Sequence, residues 1–510
     1  MSAITSFFSD NKAGSGLRTQ SVRGGVASIA SRGINVLVQV ASTFILARLI
    51  SPDDLGLVAM VSAVTGFAPV LIDLGTRDAA VQKASITEEE VSGLFWLTVG
   101  IGTGLAALLC LCSGLIVSFY HNEARLQGIA VCSSLTFILG ALSCQHFALL
   151  RRAMMFQKIA AIEVGSNAVG SIVAIYMAAN EWGYWALVAK PIVVSAFTAV
   201  AVFVCCPWLP KLPRLTEGVK EMLKFGVNIT GFTMADYVGR AMDRIALGRK
   251  RTTAEVGYYQ QAFFVYDNAI NLMSVSLHSV AVASLSKLRD NLEKLRQSWA
   301  SALSAVAFFA MPVFAILAVT GRDAVVLIMG EKWVHAGVLV EVMAIRGIPH
   351  VVERTLGWLH VAGGRADRWM RWGIISSLAH VAALFCGLPF GAMGVAVAYA
   401  AVMYLLFVPA LAYAGAPVGI TWRAVLRTVG PQLIGAWICA GAGFGLEFLF
   451  MENVARLPRV VYVTMSCLLI YYVVVVCLFR VTKPVRLARH VLLDMLPARL
   501  GLPQAIAKKD

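Results

Sequence analysis

Apolar runs of about twenty residues recur from one end of this chain to the other, and they leave few ways to fold it. A helix rises 1.5 Å per residue, so ~20 apolar residues cross the ~30 Å of hydrocarbon in a bilayer. The chain has 510 residues, of which 59% are hydrophobic and only 14% are charged. A soluble chain of that length would divide into several cores, each under a charged surface. The expectation is an all-α polytopic membrane protein with no room for a soluble domain.

Fourteen spans are predicted, at about 26–47, 55–75, 93–119, 127–149, 159–179, 184–206, 222–247, 256–283, 299–320, 336–360, 372–388, 391–415, 429–450 and 459–479. The segment Leu388-Pro389-Phe390-Gly391 makes a tight helical hairpin of the eleventh and twelfth. The spans divide into a cytoplasmic tail (1–25), an N-lobe of six helices (26–210), a C-lobe of six (215–415), an appended pair (420–480) and a basic cytoplasmic tail (481–510). Residues 1–25 are polar and lack the apolar core of a cleaved signal peptide.

Lys and Arg accumulate on one side, as cytoplasmic loops do. With the N-terminus inside, the inner loops carry Arg151/Arg152/Lys158, Lys211/Arg214/Lys220/Lys224, Lys287/Arg289/Lys294/Arg296, Arg365/Arg368/Arg371 and Arg423/Arg427, and both termini lie in the cytoplasm. Arg249-Lys250-Arg251, in an outer loop, breaks the pattern. The net charge of +15 mostly reflects this asymmetry and suits contact with anionic lipid headgroups. Nucleic acid is not an expected partner, since there is no basic soluble surface interleaved with aromatics. The ten cysteines fall in spans without ligand spacing and read as small apolar residues. No metal and no cofactor are expected.

An internal echo relates LARLISPDDLGLVA (46–59) to LGRKRTTAEVGYYQ (247–260), pairing Arg48 with Arg249, Ser51 with Thr252, Asp54 with Glu255 and Gly56 with Gly257. In each copy a hydroxyl residue caps the next helix and an acid occupies its first turn. A parallel repeat of two six-helix halves follows. Thr87 and Glu90 form a capping-box pattern before the third span.

No catalytic motif and no P-loop occurs, so the chain is not expected to be an enzyme or an ATP-driven pump. The charges inside spans are more telling. Each costs ~2.5–3.5 kcal/mol at bilayer depth, and such residues face protein or a wet cavity. Asp236, Arg240 and Arg244 follow at i, i+4 and i+8 on one helical face, with Asp243 beside them. The candidate cations for an anionic head group are Arg32, Lys190, Arg240, Arg244, Arg346 and Arg354. Guanidinium suits phosphate because its planar fork donates in pairs and keeps its charge in dry surroundings. Asp236, Asp243, Asp267 and Glu163 are candidates for ion or proton coupling. The competing reading is structural: Asp236–Arg240 and Glu353–Arg354 as self-neutralising pairs, Arg48 and Arg249 reaching for headgroups. His146, His278 and His380 read as packed residues. Tyr258, Tyr259, Trp182, Tyr184, Trp185 and Trp333 read mostly as an interfacial belt.

The segments ILARLISPDDLGLVAM (45–60), IDLGTRDAAVQKASITEEEVSGLFWLTV (72–99), ALLRRAMMFQKIAAIEVGSNAVGSIVAI (148–175), GYWALVA (183–189), MDRIALG with VGYYQQA (242–262) and MGEKWVHAG (329–337) resemble the WzxC-like polysaccharide flippases of the multidrug/oligosaccharidyl-lipid/polysaccharide (MOP) exporter superfamily. The resemblance implies two lobes of helices around a central cavity, in the bacterial inner membrane. It implies transport of an undecaprenyl-diphosphate-linked oligosaccharide from the cytoplasmic to the periplasmic leaflet by alternating access, with polysaccharide polymerase and export proteins as possible partners. It supplies no agreed site residues. The alternatives are a cation-coupled multidrug exporter of the same superfamily, a lipid II flippase, a non-transporting scaffold of the polysaccharide machinery, or an intramembrane polymerase or ligase.

Overall fold

The computed structural model describes residues 17–83, 85–213, 217–288, 291–362, 365–451 and 454–486. Every long element among them is an α-helix, and no strand occurs among the described residues. In chain order the helices are α1 (Leu17–Leu49), α2 (Pro52–Thr65), α3 (Ala68–Asp73), α4 (Thr76–Gln82), α5 (Glu88–Phe119), α6 (Arg125–Arg152), α7 (Phe156–Ala179) and α8 (Tyr184–Cys205). They continue as α9 (Glu217–Lys250), α10 (Thr253–Ser286), α11 (Leu292–Met329), α12 (Val334–Ala362), α13 (Ala366–Gly387), α14 (Gly391–Gly415), α15 (Trp422–Phe450) and α16 (Arg456–Tyr472). Ten stretches of described residues are long and apolar enough to cross a membrane, and one of them, Asp367–Val418, holds the whole α13–α14 hairpin. The protein is therefore a multi-pass membrane protein. Length and hydropathy do not establish the count of fourteen, because α1, α9 and α10 are not among those stretches.

Local chemistry accounts for the helix ends. Ser51 Oγ accepts the Asp54 N–H at 3.1 Å, with Pro52 opening α2. Thr252 Oγ1 does the same for Glu255 at 3.3 Å. Thr87 and Glu90 complete the capping box of α5 from both sides. Pro69 cannot donate to the preceding turn, and α2 gives way to α3 there. Helices α1 and α11 run further than their apolar cores, α11 over 38 residues, because a helix leaving hydrocarbon keeps its own hydrogen bonds.

The chain forms two compact units. The first holds the described residues through Gln260 together with Ile328–Trp333 and Phe390–Ala392; the second holds Gln261–Leu327, Val334–Pro389 and the residues from Met393 on. The first has a core of Leu94, Phe95, Leu149, Val202 and Trp208 where α5, α6 and α8 meet. His146 sits within it, its Nε2 3.1 Å from the Trp208 carbonyl and its ring 4.0 Å from that of Phe203, as a packed residue should.

The echo marks a packing contact inside the first unit. A Cβ on Gly56 would overlap the Thr253 carbonyl, and a Cβ on Gly257 would overlap the Pro52 carbonyl. Pro52 and Thr253 hold equivalent places in the two copies, so the contact is reciprocal. Thr253 Oγ1 also donates to Asp53 at 2.5 Å. The first-turn acids take matching roles too. Glu255 accepts the Ala392 N–H at the start of α14 at 2.5 Å, and Asp54 lies against Gly183, which precedes α8. Both Gly183 (φ 54°) and Gly391 (φ 75°) are left-handed, a conformation that favours glycine. Each acid thus faces the positive end of a second helix.

Arg48 and Arg249, again equivalent, each meet the C-terminal end of a long helix or the residues just after it. Arg48 Nε donates to the Ile328 carbonyl at 2.6 Å, and Lys332 Nζ donates to the Arg48 carbonyl at 2.9 Å. His121 Nε2 lies 2.6 Å from the Arg249 carbonyl, so that nitrogen carries the proton, while Arg249 Nη1 approaches the ring. Both arginines thus also touch protein groups.

Candidate functional site

In the first unit, α8 carries Lys190, whose ammonium donates to Ser42 Oγ on α1 at 2.7 Å. Ser42 in turn donates to the Gln39 carbonyl at 3.0 Å. The partner seen for this cation is a neutral hydroxyl, which leaves the charge in place. The C-terminal part of α9 brings Asp243 and Arg244 to Tyr259 and Gln260 on α10. Asp243 is buried and accepts from Tyr259 Oη at 2.7 Å. Arg244 Nη1 donates to Gln260 Oε1 at 3.2 Å, and its Nε stands 3.9 Å from Asp243. The Tyr259 hydroxyl is thus a closer contact of the carboxylate than the Arg244 Nε.

The second unit gathers a denser cluster around Arg346. Positions 346, 350, 353 and 354 follow at i, i+4, i+7 and i+8 along α12 and share a face. The Arg346 guanidinium lies 5.5 Å from the ring centre of Tyr266 and 5.3 Å from that of Tyr399. Both rings offer the guanidinium the negative face of a π-system. Tyr266, buried on α10, bonds to His350 Nδ1 at 2.6 Å, with the two rings stacked at 15°. His380 packs edge-on to Tyr399 at 5.5 Å; its Nδ1 donates to the Ser376 carbonyl, and its Nε2 is buried without a hydrogen-bond partner among the described residues. Glu353 lies within the electrostatic reach of both Arg346 and Arg354. This arrangement holds cations, a carboxylate and two imidazoles in one place, equipped to bind an anion and to pass a proton.

Pro349 shapes that face. It has no N–H for the Ile345 carbonyl, and Tyr404 Oη from α14 fills the gap at 2.9 Å. The helix continues through the proline because a neighbouring helix supplies the missing donor.

The remaining candidates separate. Asp267 is half-buried and accepts from Asn271 at 2.7 Å. Glu163 on α7 is exposed on its helix. The side chains of Arg32, Asp236, Arg240 and His278 lie outside the described residues. Two presumed belt aromatics are in fact interior. Trp333 is fully buried, with Nε1 donating to the Ala47 carbonyl at 2.6 Å, and Tyr259 is the partner of Asp243. Sequence reasoning also missed Tyr266, His350 and Tyr399. For His350 the signal was present, one turn beyond Arg346; for the tyrosines only tertiary packing reveals the role.

Comparison with known proteins gives this geometry a lineage. Residues 45–337 match the family described as "Polysaccharide biosynthesis protein". The lipopolysaccharide biosynthesis protein WzxC of Escherichia coli (strain K12) is 24% identical over 387 residues, covering 75% of this chain and 78% of that protein. Among solved structures, the lipid II flippase MurJ in an inward closed conformation superposes with a TM-score of 0.71 at 14% identity, over 90% of this chain and 99% of that one. A multidrug resistance MATE family transporter of the MOP superfamily, inward-facing, gives 0.59 at 12% identity, over 79% of this chain and 99% of that one. The two structures share the fold, and the matched segment spans more than half of the chain: this protein belongs to the polysaccharide biosynthesis protein family.

Proposed function

We propose that the protein is a flippase that carries undecaprenyl-diphosphate-linked oligosaccharide units from the cytoplasmic to the periplasmic leaflet of a bacterial inner membrane, with both termini in the cytoplasm. The sugars and diphosphate cannot cross hydrocarbon, whereas the polyprenyl tail need not leave it. Alternating access through a cation-lined cavity moves the head group while the tail stays in lipid. Lys190, Arg244, Arg346 and Arg354 contact the diphosphate in this reading, joined by Arg32 and Arg240. Asp243, Asp267, Asp236 or Glu163 would take the coupling proton or ion. Polymerase and export proteins would draw on the product.

The observation that carries the proposal is the setting of the cations: an ammonium held by a serine hydroxyl and a guanidinium set against two tyrosine rings, both on membrane helices. A drug exporter for organic cations would instead favour carboxylates at such places. The family match supports a polysaccharide substrate as well. The test is complementation of a flippase-null strain. Wild type restores polymer output, and Arg346→Ala lowers it at least about tenfold at normal expression, the loss expected for one charge-assisted contact of ~1.5–3 kcal/mol. Failure of the wild type in a strain supplied with its own sugar-assembly genes overturns the proposal, and full output from the variant overturns the role of the cation.

A further inference from the structure

An apolar groove of about 500 Å³ opens on the first unit between α5, α6, α9 and the end of α2. Its floor is Thr65, Leu109, Ile116 and Phe137, all buried, while Leu108 and Leu115 stand exposed on its wall at 53% and 69%. It follows α5 from Leu105 to Phe119, about 21 Å of helix, most of the way through the hydrocarbon of a bilayer. Nearly all of the lining is carbon. At the Phe119 end the character changes abruptly: the Arg249 guanidinium lies 5.7 Å from the Phe119 ring centre, beside His121, and Lys250 and Arg251 follow in the same turn. Ile245, which lines the groove, adjoins Arg244.

A long greasy slot that ends beside the Arg249 guanidinium complements an amphiphile with a chain along the membrane normal and a phosphate at one end. We infer that this groove seats the isoprenoid chain of the lipid-linked substrate, with Arg249 at the phosphate end. The inference rests on the proposed function and deepens it, since it assigns a place to the tail. It also gives Arg249 a use that loop topology does not.

The test photolyses the full-length protein, in nanodiscs of phosphatidylethanolamine and phosphatidylglycerol, with polyprenyl diphosphate bearing a diazirine in its chain. Adducts are expected on the 105–120 segment of α5, suppressed about tenfold by unlabelled polyprenyl diphosphate and not by added phosphatidylglycerol. Cys112→Trp, which fills the groove, is expected to lower the yield by a similar factor in protein that still elutes as a single species. Adducts mapped elsewhere on wild type, or equal suppression by phosphatidylglycerol, overturn the inference; the second result marks an ordinary lipid crevice. Wild-type complementation is scored in parallel. Restored export with adducts outside the groove rejects this site alone, whereas absent export rejects the flippase reading itself.

Discussion

Lys190 and Arg346 show what a charge inside a membrane helix demands of its neighbours. Each was recognisable in the sequence as a cation in an apolar run, and each has acquired a particular partner: the Ser42 hydroxyl for one, the Tyr266 and Tyr399 rings for the other. Those partners lie on other helices, far along the chain, so no local pattern could name them. The difference between the two settings predicts different tolerance. At Lys190 an arginine keeps the charge, and Lys190→Arg should retain most polymer export, while Lys190→Met should lose about tenfold. At Arg346 the guanidinium lies against two tyrosine rings, and Arg346→Lys should export nearly as poorly as Arg346→Ala, because a compact ammonium lacks the broad, forked group that can meet both rings and an anion at once. Equal export from Arg346→Lys and wild type would show that charge alone matters there. The Tyr404 hydroxyl gives a purely structural counterpart. Tyr404→Phe strands the Ile345 carbonyl and should lower stability by ~0.6–1.7 kcal/mol in a reversible unfolding assay.

At the scale of elements, helix ends were the most legible part. Ser51, Thr252 and Thr87 act as the caps their positions announce, because a cap depends on three or four neighbouring residues and little else. The echo between residues 46–59 and 247–260 was visible as a pattern. What it accomplishes was not, since a glycine eight residues past each arginine says nothing about the two packing against one another. The reciprocal approach of Gly56 and Gly257 predicts that Gly257→Val pushes α10 away from Pro52. Export should fall at least about fivefold, and thermal stability should fall with it, an overpacking effect of ~1–3 kcal/mol. Unchanged stability would mean that the two helix starts yield without cost. The aromatic belt was the least reliable reading. Tyr259 and Trp333 sit where interfacial residues would be expected along the chain, yet a hydroxyl and an indole N–H satisfy interior partners just as well as water.

For the whole molecule, class came from apolar run length alone, because crossing ~30 Å of hydrocarbon as a helix fixes both number and kind of residue. The hairpin at Leu388–Phe390 and the unbroken helix through Asp236–Arg244 follow from the same reasoning. Chemistry was legible only as a set of candidates, since a charge reveals its cost but not its partner. The proposed function joins these scales: cations carried on membrane helices would take the diphosphate of a lipid-linked oligosaccharide and move it between leaflets. The most direct measurement is transfer of a fluorescent undecaprenyl-diphosphate oligosaccharide across the bilayer of proteoliposomes, read by protection from an external quencher. Wild type should equilibrate the probe, and the double variant Lys190→Met with Arg346→Ala, reconstituted to the same density, should slow transfer by about a hundredfold. Equal rates for the two proteins, or no transfer by wild type above empty liposomes, would contradict it.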